Sequence, residues 1–340
     1  MKIVKYIIYS VVVVFFGFLI PLTAFHLAGG VLKILDTDPV IYLSEQEASL
    51  KSLFKDSQTL SLVFVGDVML DRGVEASVAK NAEGDFSFLF EKTDFIKDAD
   101  IAFGNLEGPI ADAGKDLGKL YSFRFKPDAM DILKKAGFDV FSIANNHIAD
   151  WGEEAFLENL SRLKNEGILA VGGDYNRIAA ETVKIIKKNG LYVGFLAFTD
   201  VGPDWFRSRG HQPGILIVDD NMPSVIEKAS KEVDVLVVSF HFGEEYETVS
   251  NERQQKIAHL AIDSGAKIVV GHHPHVIQEV EEYNNGIIAY SLGNFIFDQN
   301  FSEETMEGMV FMVYLENGEL ISSRQGKIKL NEHYQPELVD

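Results

Sequence analysis

The sequence predicts an α/β fold, with a sheet joined by crossover helices, and three observations predict it. From Ser61 onward, short β-branched apolar runs alternate with longer helical patterns. Six of those runs end in polar residues of the kind that bind a metal or a polar ligand. An uncharged apolar stretch, Tyr6 to Leu32, precedes the whole pattern.

The apolar runs are Leu62–Val65, Ile101–Phe103, Val140–Ile143, Ile168–Val171, Val193–Phe198, Val235–Phe240, Ile268–Val270 and Ile287–Tyr290. Each is short enough for a buried strand. Helices fill the gaps. Pro127 starts one that ends before Gly137, Glu153–Asn165 is a second that ends near Gly167, and Pro223–Lys231 is a third. Asn251 caps a fourth that closes at Gly265. Proline near the start and glycine past the end is the expected asymmetry. From Gly308 the pattern alternates as in antiparallel strands, with a turn at Asn317-Gly318. No internal repeat is present. The expected organisation is a cytoplasmic stub and anchor at residues 1–32, a polar stalk at 33–60, one domain at 61–330 and a tail at 331–340.

Tyr6 to Leu32 contains no Asp, Glu, Lys or Arg. A bilayer needs about 20 apolar residues, so this stretch is long enough to span one as a helix. Lys2 and Lys5 precede it and hold the amino terminus in the cytoplasm. The expected location is the cell membrane, single-pass, with the carboxyl-terminal domain extracytoplasmic. A cleaved signal peptide is the competing reading. Ala24, Ala28, Gly29 and Gly30 supply small residues, but Phe25 and His26 interrupt the cleavage pattern. A buried core helix is disfavoured, because these residues are apolar on every face.

Composition narrows the chemistry. The chain has 340 residues, a hydrophobic content of 46% and a net charge of −20. That is enough apolar matter for a sizeable core, and no basic cluster offers a nucleic-acid surface. There is no cysteine, which excludes disulfides, thiolate catalysis and Cys-type zinc sites.

The strand ends carry the informative residues. Val65 leads to Gly66-Asp67, Phe103 to Gly104-Asn105-Leu106-Glu107, and Ile143 through Ala144 to Asn145-Asn146-His147. Phe240 leads to His241, Val270 to Gly271-His272-His273-Pro274-His275, and Tyr290 through Ser291-Leu292 to Gly293-Asn294. In open α/β sheets ligands bind outside the carboxyl ends of the strands, so these segments are expected to converge. Asp, Asn and His without Cys suit one or two divalent ions such as Mn, Fe or Zn. Taken singly, Gly-Asp is also a common turn, Asn-Asn-His a common loop, Glu107 a cap and His241 a satisfied core histidine. Three imidazoles within His272–His275 are harder to place without a ligand.

These segments resemble the bacterial CapA, or PGA_cap, family, which serves capsule and poly-γ-glutamate synthesis and is related to calcineurin-like metallophosphoesterases. The resemblance rests on Gly66-Asp67-Val68-Met69-Leu70, Asn105-Leu106-Glu107 and Ala144-Asn145-Asn146-His147 with Asp150 and Gly152. It extends through His241-Phe242-Gly243 with Glu245-Tyr246, and Gly271-His272-His273-Pro274-His275-Val276 with Gln278. Ser291-Leu292-Gly293-Asn294-Phe295 with Phe297-Asp298 completes it.

The resemblance implies a four-layer αββα sandwich with its site at one end of the sheets. It implies that Asp67, Asn105, Glu107, Asn146, His241 and the histidines His272, His273 and His275 hold metal, with His272 and His273 competing for one role. It makes His147, with Asp150, the acid near a leaving group. Arg72, Arg124, Glu245 and Asn294 are the expected substrate contacts. Two positions depart from the wider phosphoesterase pattern: Met69 stands where a histidine is usual, and Asn105-Leu106-Glu107 where a bridging aspartate is usual. The implied function is a metal-dependent hydrolase or transferase acting on a cell-envelope polymer, poly-γ-glutamate or capsule. The alternative is a non-catalytic protein that binds the polymer or its synthase complex through the same cleft.

Overall fold

The computed structural model describes residues 11–15, 18–22 and 58–339. The chain divides into two units, Met1–Asp56 and Ser57–Asp340. In the first, Val11–Phe15 and Phe18–Leu22 pair as antiparallel strands. These ten residues therefore differ from the helix expected over Tyr6–Leu32; consecutive valines, stiff at χ1, suit extended backbone. The rest of the expected span and the stalk as far as residue 57 lie outside the described residues. No helix among the described residues is long and apolar enough to cross a membrane.

The second unit contains two mixed sheets. One runs in the order Pro336–Leu338, Glu319–Leu330, Glu307–Glu316, Thr59–Val68, Ile101–Leu106, Val140–Ser142, Leu169–Val171, with Asn294–Ile296 beside Thr59–Val68. The other runs Val280–Tyr283, Gly286–Ala289, Ile268–His272, Val235–His241, Leu191–Thr199, Lys184–Lys188. The central strands of each are parallel. All eight apolar runs map onto these strands.

Alternation explains the layers. Leu62, Phe64, Phe103 and Val140 from one sheet meet Phe195, Val237, Val270 and Ala289 from the other in a buried cluster between the sheets. The opposite faces pack against helices. Val63, Val65, Ala102 and Phe141 cluster with Val74, Leu133 and Phe156. Val238 and Val269 cluster with Ile226 and Ala258. The result is helix, sheet, sheet, helix, as expected.

Four expected helices are present, at Asp128–Ala136, Gly152–Asn165, Met222–Ser230 and Glu252–Asp263. Asn251 caps the last through a reciprocal capping box with Gln254. The expected turn joins Glu307–Glu316 to Glu319–Leu330, with Asn317 and Gly318 both at positive φ.

Several elements are not expected from the sequence, among them the strands Lys184–Lys188 and Val280–Tyr283, and two are instructive. Arg72–Ala82 is a helix that the apolar pattern does not announce, because it buries only Val74 and Val78. The expected tail contains a further strand, Pro336–Leu338, paired with Ile328–Leu330. Proline is tolerated at the first residue of an edge strand, where its missing N–H breaks no ladder.

Candidate functional site

The parallel strands deliver their carboxyl ends to one end of the sandwich. Asp67 and Asn105 are paired in register, as are His241 and His272. Glycines set this up at two points. A Cβ on Gly66 would overlap the carbonyl of Gly293, and one on Gly271 the carbonyl of Tyr290. The chain thus needs glycine immediately before Asp67 and His272 to let neighbouring backbone approach.

Asp67, Asn105, Glu107, His241, His272, His273 and His275 are all buried. The Asn105 amide donates to Asp67 Oδ1 at 2.8 Å and lies 3.4 Å from both Glu107 Oε2 and His241 Nδ1. His241 Nε2 lies 2.9 Å from Asn146 Oδ1. His275 Nδ1 is 3.3 Å from Asp67 Oδ2, and its Nε2 is 3.7 Å from Glu107 Oε1. Two groups have donor atoms mutually within 4.8 Å: Asp67, Glu107 and His241, and Glu245, His273 and His275. The expected metal ligands therefore converge, joined by Glu245, which the sequence reading placed with the substrate contacts.

The donor chemistry fits a divalent cation. Glu107 Oε1, both ring nitrogens of His272 and Nδ1 of His273 are buried without a hydrogen-bond partner. Such atoms are costly to bury unpaired, and a cation would satisfy lone pairs there. Burial pushes Asp67 up, but the adjoining His272 and His275 imidazoles outweigh burial and hold it well below the usual carboxylate range. Glu107 is driven well above that range by burial and then by the charge of Asp67. Burial holds His241 well below the usual imidazole value and brings His273 down to about 3. Both imidazoles are thus neutral at pH 7, with lone pairs available to a metal.

Backbone strain concentrates here. His273 has φ +100° and His275 φ +59°, while Arg72 and Tyr246, beside them, have φ +51° and +69°. Non-glycine residues seldom adopt these values, and those that do gather at functional sites.

The two histidines that the sequence leaves in competition occupy different places. His272 ends its strand, stacks on Phe103 and sets Nδ1 3.3 Å from Asp67 Oδ1. His273 turns to Glu245 and His275. Met69 is removed from the site altogether. It packs in the apolar cluster on the helix side, its sulfur accepting from the Asp71 N–H at 3.1 Å.

A cavity of about 210 Å³ opens beside the cluster, and His147, His275, Glu245 and Arg72 line it. His147 Nδ1 bonds Asp150 Oδ2 at 2.7 Å. Asp150 also accepts the Phe123 N–H at 3.0 Å and pairs with Lys119 at 2.7 Å. Burial lowers the His147 pKa against the opposing pull of Asp150. An open groove on the other side of Glu245 and Tyr246 is lined by Asn146, His273 and Arg253.

Two expected substrate contacts go elsewhere. Arg124 does not line the cavity; its guanidinium lies 3.6 Å over the Trp151 ring and donates to the Asp112 carbonyl. Asn294 is fully buried and holds His275, its Oδ1 3.0 Å from Nδ1. Two positioning residues carried no separate signal. Asn145 donates to Asn105 Oδ1 and the Leu106 carbonyl while accepting from the His147 N–H. Lys119 bonds both Asp150 and the Asn146 carbonyl from a loop without periodicity.

Glu107 gives a test that needs no substrate. Its raised pKa means that the folded state binds the proton more tightly than the unfolded state. Stability without metal therefore falls as pH rises above the ordinary value of 4.5. Glu107→Gln removes that loss. Without metal the variant is expected to melt above the parent at pH 8, a gap that closes toward pH 4.5. Parallel melting curves across that range would contradict the assignment.

Residues 61–299 match the family described as bacterial capsule synthesis protein PGA_cap. The PGA biosynthesis protein CapA of Bacillus subtilis is 34% identical over 267 residues, which cover 76% of this chain and 69% of that protein. The capsule biosynthesis protein CapA of Bacillus anthracis is 32% identical over 289 residues, covering 82% and 70% respectively. Among solved structures, the 5'-nucleotidase of Candida albicans aligns over 81% of this chain and 52% of that one, at 14% identity and a TM-score of 0.45.

Proposed function

The chain belongs to the bacterial capsule synthesis protein PGA_cap family, and on that premise we propose that it is a metal-dependent hydrolase or transferase acting on a cell-envelope polymer, capsule or poly-γ-glutamate. The observation that carries this reading is the buried cluster of carboxylates and neutral imidazoles opening onto a cavity. Asp67, Glu107 and His241, with Glu245, His273 and His275, would hold one or two divalent ions such as Mn, Fe or Zn. Bound there, the ions would polarise the scissile group and offset charge that develops on it.

The chain's own residues do the rest. Asn105 and Asn146 orient Asp67 and His241 through their amides. Asp150 fixes the His147 ring by Nδ1, which leaves Nε2 as the edge for proton exchange with a leaving oxygen. The Phe123 ring, 4.2 Å away, covers the imidazole and limits water at it. A second reading, a polymer-binding partner of the synthase complex, is favoured by Met69, whose side chain packs in the core and supplies no ligand to the cluster.

The deciding experiment incubates the purified protein with Mn²⁺ and, separately, a chromogenic phosphodiester and poly-γ-glutamate. Metal-dependent product release from either supports the enzyme reading. Stoichiometric metal without turnover on either favours the binding reading.

The membrane anchor is part of the same proposal. A reporter active only outside the cytoplasm, fused after Leu60, is expected to be active, and high salt is expected to leave the protein with the membrane. Recovery of a mature chain starting near Gly29 would replace the anchor by a cleaved signal.

A further inference from the structure

We propose that an anionic polymer lies across the donor cluster from the cavity to the groove, with Arg72 and Arg253 each holding one of its carboxylates, so that the chain crosses the ions at an internal bond and does not present its end. This rests on the reading that the site acts on poly-γ-glutamate, and it names the residues that read that polymer and the path it takes.

The donor group Glu245, His273 and His275 stands between two openings. His275 lines the cavity of about 210 Å³ and His273 the groove of about 680 Å³, while Glu245 and Tyr246 line both. An ion on this group is therefore reachable from two sides, whereas a site for a chain end needs only one. Among the described residues, Arg72 is the one Lys or Arg lining the cavity, and Arg253 the one lining the groove. Each is held by an aspartate. Arg72 Nη2 bonds Asp298, and Arg253 bonds Asp200 through both Nε and Nη2. In both pairs the aspartate side chain is 12% exposed, against 31% for Arg72 and 65% for Arg253, so the arginine is the open partner.

A guanidinium carries more N–H donors than one aspartate uses, and its planar fork matches a carboxylate. Poly-γ-glutamate bears a carboxylate on every unit, so forks on opposite sides of the cluster can each meet one. Arg72 Nε is buried without a hydrogen-bond partner, and a carboxylate at that fork would supply it. The surrounding charge sets a condition. Asp200, Glu244, Glu245 and Asp298 line the openings against Arg72 and Arg253 alone, an excess of two negative charges that repels a polyanion. A divalent ion on Glu245, His273 and His275 cancels that excess, so the polymer binds with metal and not without it.

The test uses the full chain, purified in detergent, in Mn²⁺ and again in EDTA. The probes are a γ-linked glutamate decamer, the same decamer with a bulky dye at each end, and its α-amide analogue. Two double variants, Arg72→Gln with Asp298→Asn and Arg253→Gln with Asp200→Asn, are compared with the parent. Each keeps the net charge and leaves no carboxylate unpaired, and metal content and melting temperature are measured on the same samples. In Mn²⁺ the free and capped decamers are expected to bind alike. Each double variant is expected to bind them about tenfold more weakly at unchanged metal content, the usual worth of a hydrogen bond to a charged group. The amide analogue in Mn²⁺ and the decamer in EDTA are expected to bind poorly. Any of five results would overturn the proposal: no decamer bound in Mn²⁺, the capped decamer refused, the amide analogue bound as tightly, binding undiminished in EDTA, or either double variant binding like the parent. Turnover of the chromogenic phosphodiester without decamer binding would sink this inference and leave the metal-dependent reading standing; decamer binding as expected without turnover would do the opposite.

Discussion

Replacing His273 and His275 together by alanine is expected to strip divalent metal from the purified protein, a fall of at least tenfold from one or two ions per chain. The two imidazoles come from one strand end but face different partners. His273 groups with Glu245, while His275 lies 3.3 Å from Asp67 and 3.7 Å from Glu107. Removing both therefore empties one donor group and loosens the other. Alanine at φ +100° and +59° also strains the loop, so the melting temperature without metal must be measured beside the metal content. His259→Ala is the control, because that imidazole lies outside the cluster and pairs with Glu281 at 2.9 Å. Unchanged metal content in a folded double variant would remove the proposed centre.

His147→Ala is expected to keep most of the metal and to lose about 10²–10⁴-fold in turnover, the usual contribution of a positioned acid or base. The geometry separates this residue from the ligands. Its Nδ1 is committed to Asp150 at 2.7 Å, its ring lies under Phe123, and it lines the cavity. Asp150→Asn should then act through His147, lowering kcat with little change in metal. If His147 only braces its loop, the variant will melt lower while the rate per folded molecule stays near that of the parent.

Much of the fold was legible because two periodicities coincide with burial. Runs such as Val235–Phe240 and Ile268–Val270 are β-branched and continuous, as strands covered on both faces must be. Residues just past such a run lie at the sheet's end, and this brought Asp67, Asn146, His241 and His275 together from sequence order alone. Asn251 and Asn317-Gly318 carried their turn chemistry openly.

The rest depended on contacts between distant residues. Nothing near Arg124 announces that its guanidinium will settle on Trp151. Asn294 follows an apolar run as the expected ligands do, but its strand lies beside Thr59–Val68 and turns the amide inward to His275. The choice between His272 and His273 turns on one reversal of φ, which places the first under Asp67 and the second beside Glu245. Glu245 itself sits on an acidic loop, where a ligand and a solvated carboxylate read alike.

The most direct measurement of the central claim is an anomalous difference map from crystals of this protein grown in Mn²⁺. The expected result is one or two peaks about 2.0–2.4 Å from donor atoms of Asp67, Glu107 and His241, of Glu245, His273 and His275, or of both groups. Peaks confined to surface carboxylates, with none at either group, would contradict it.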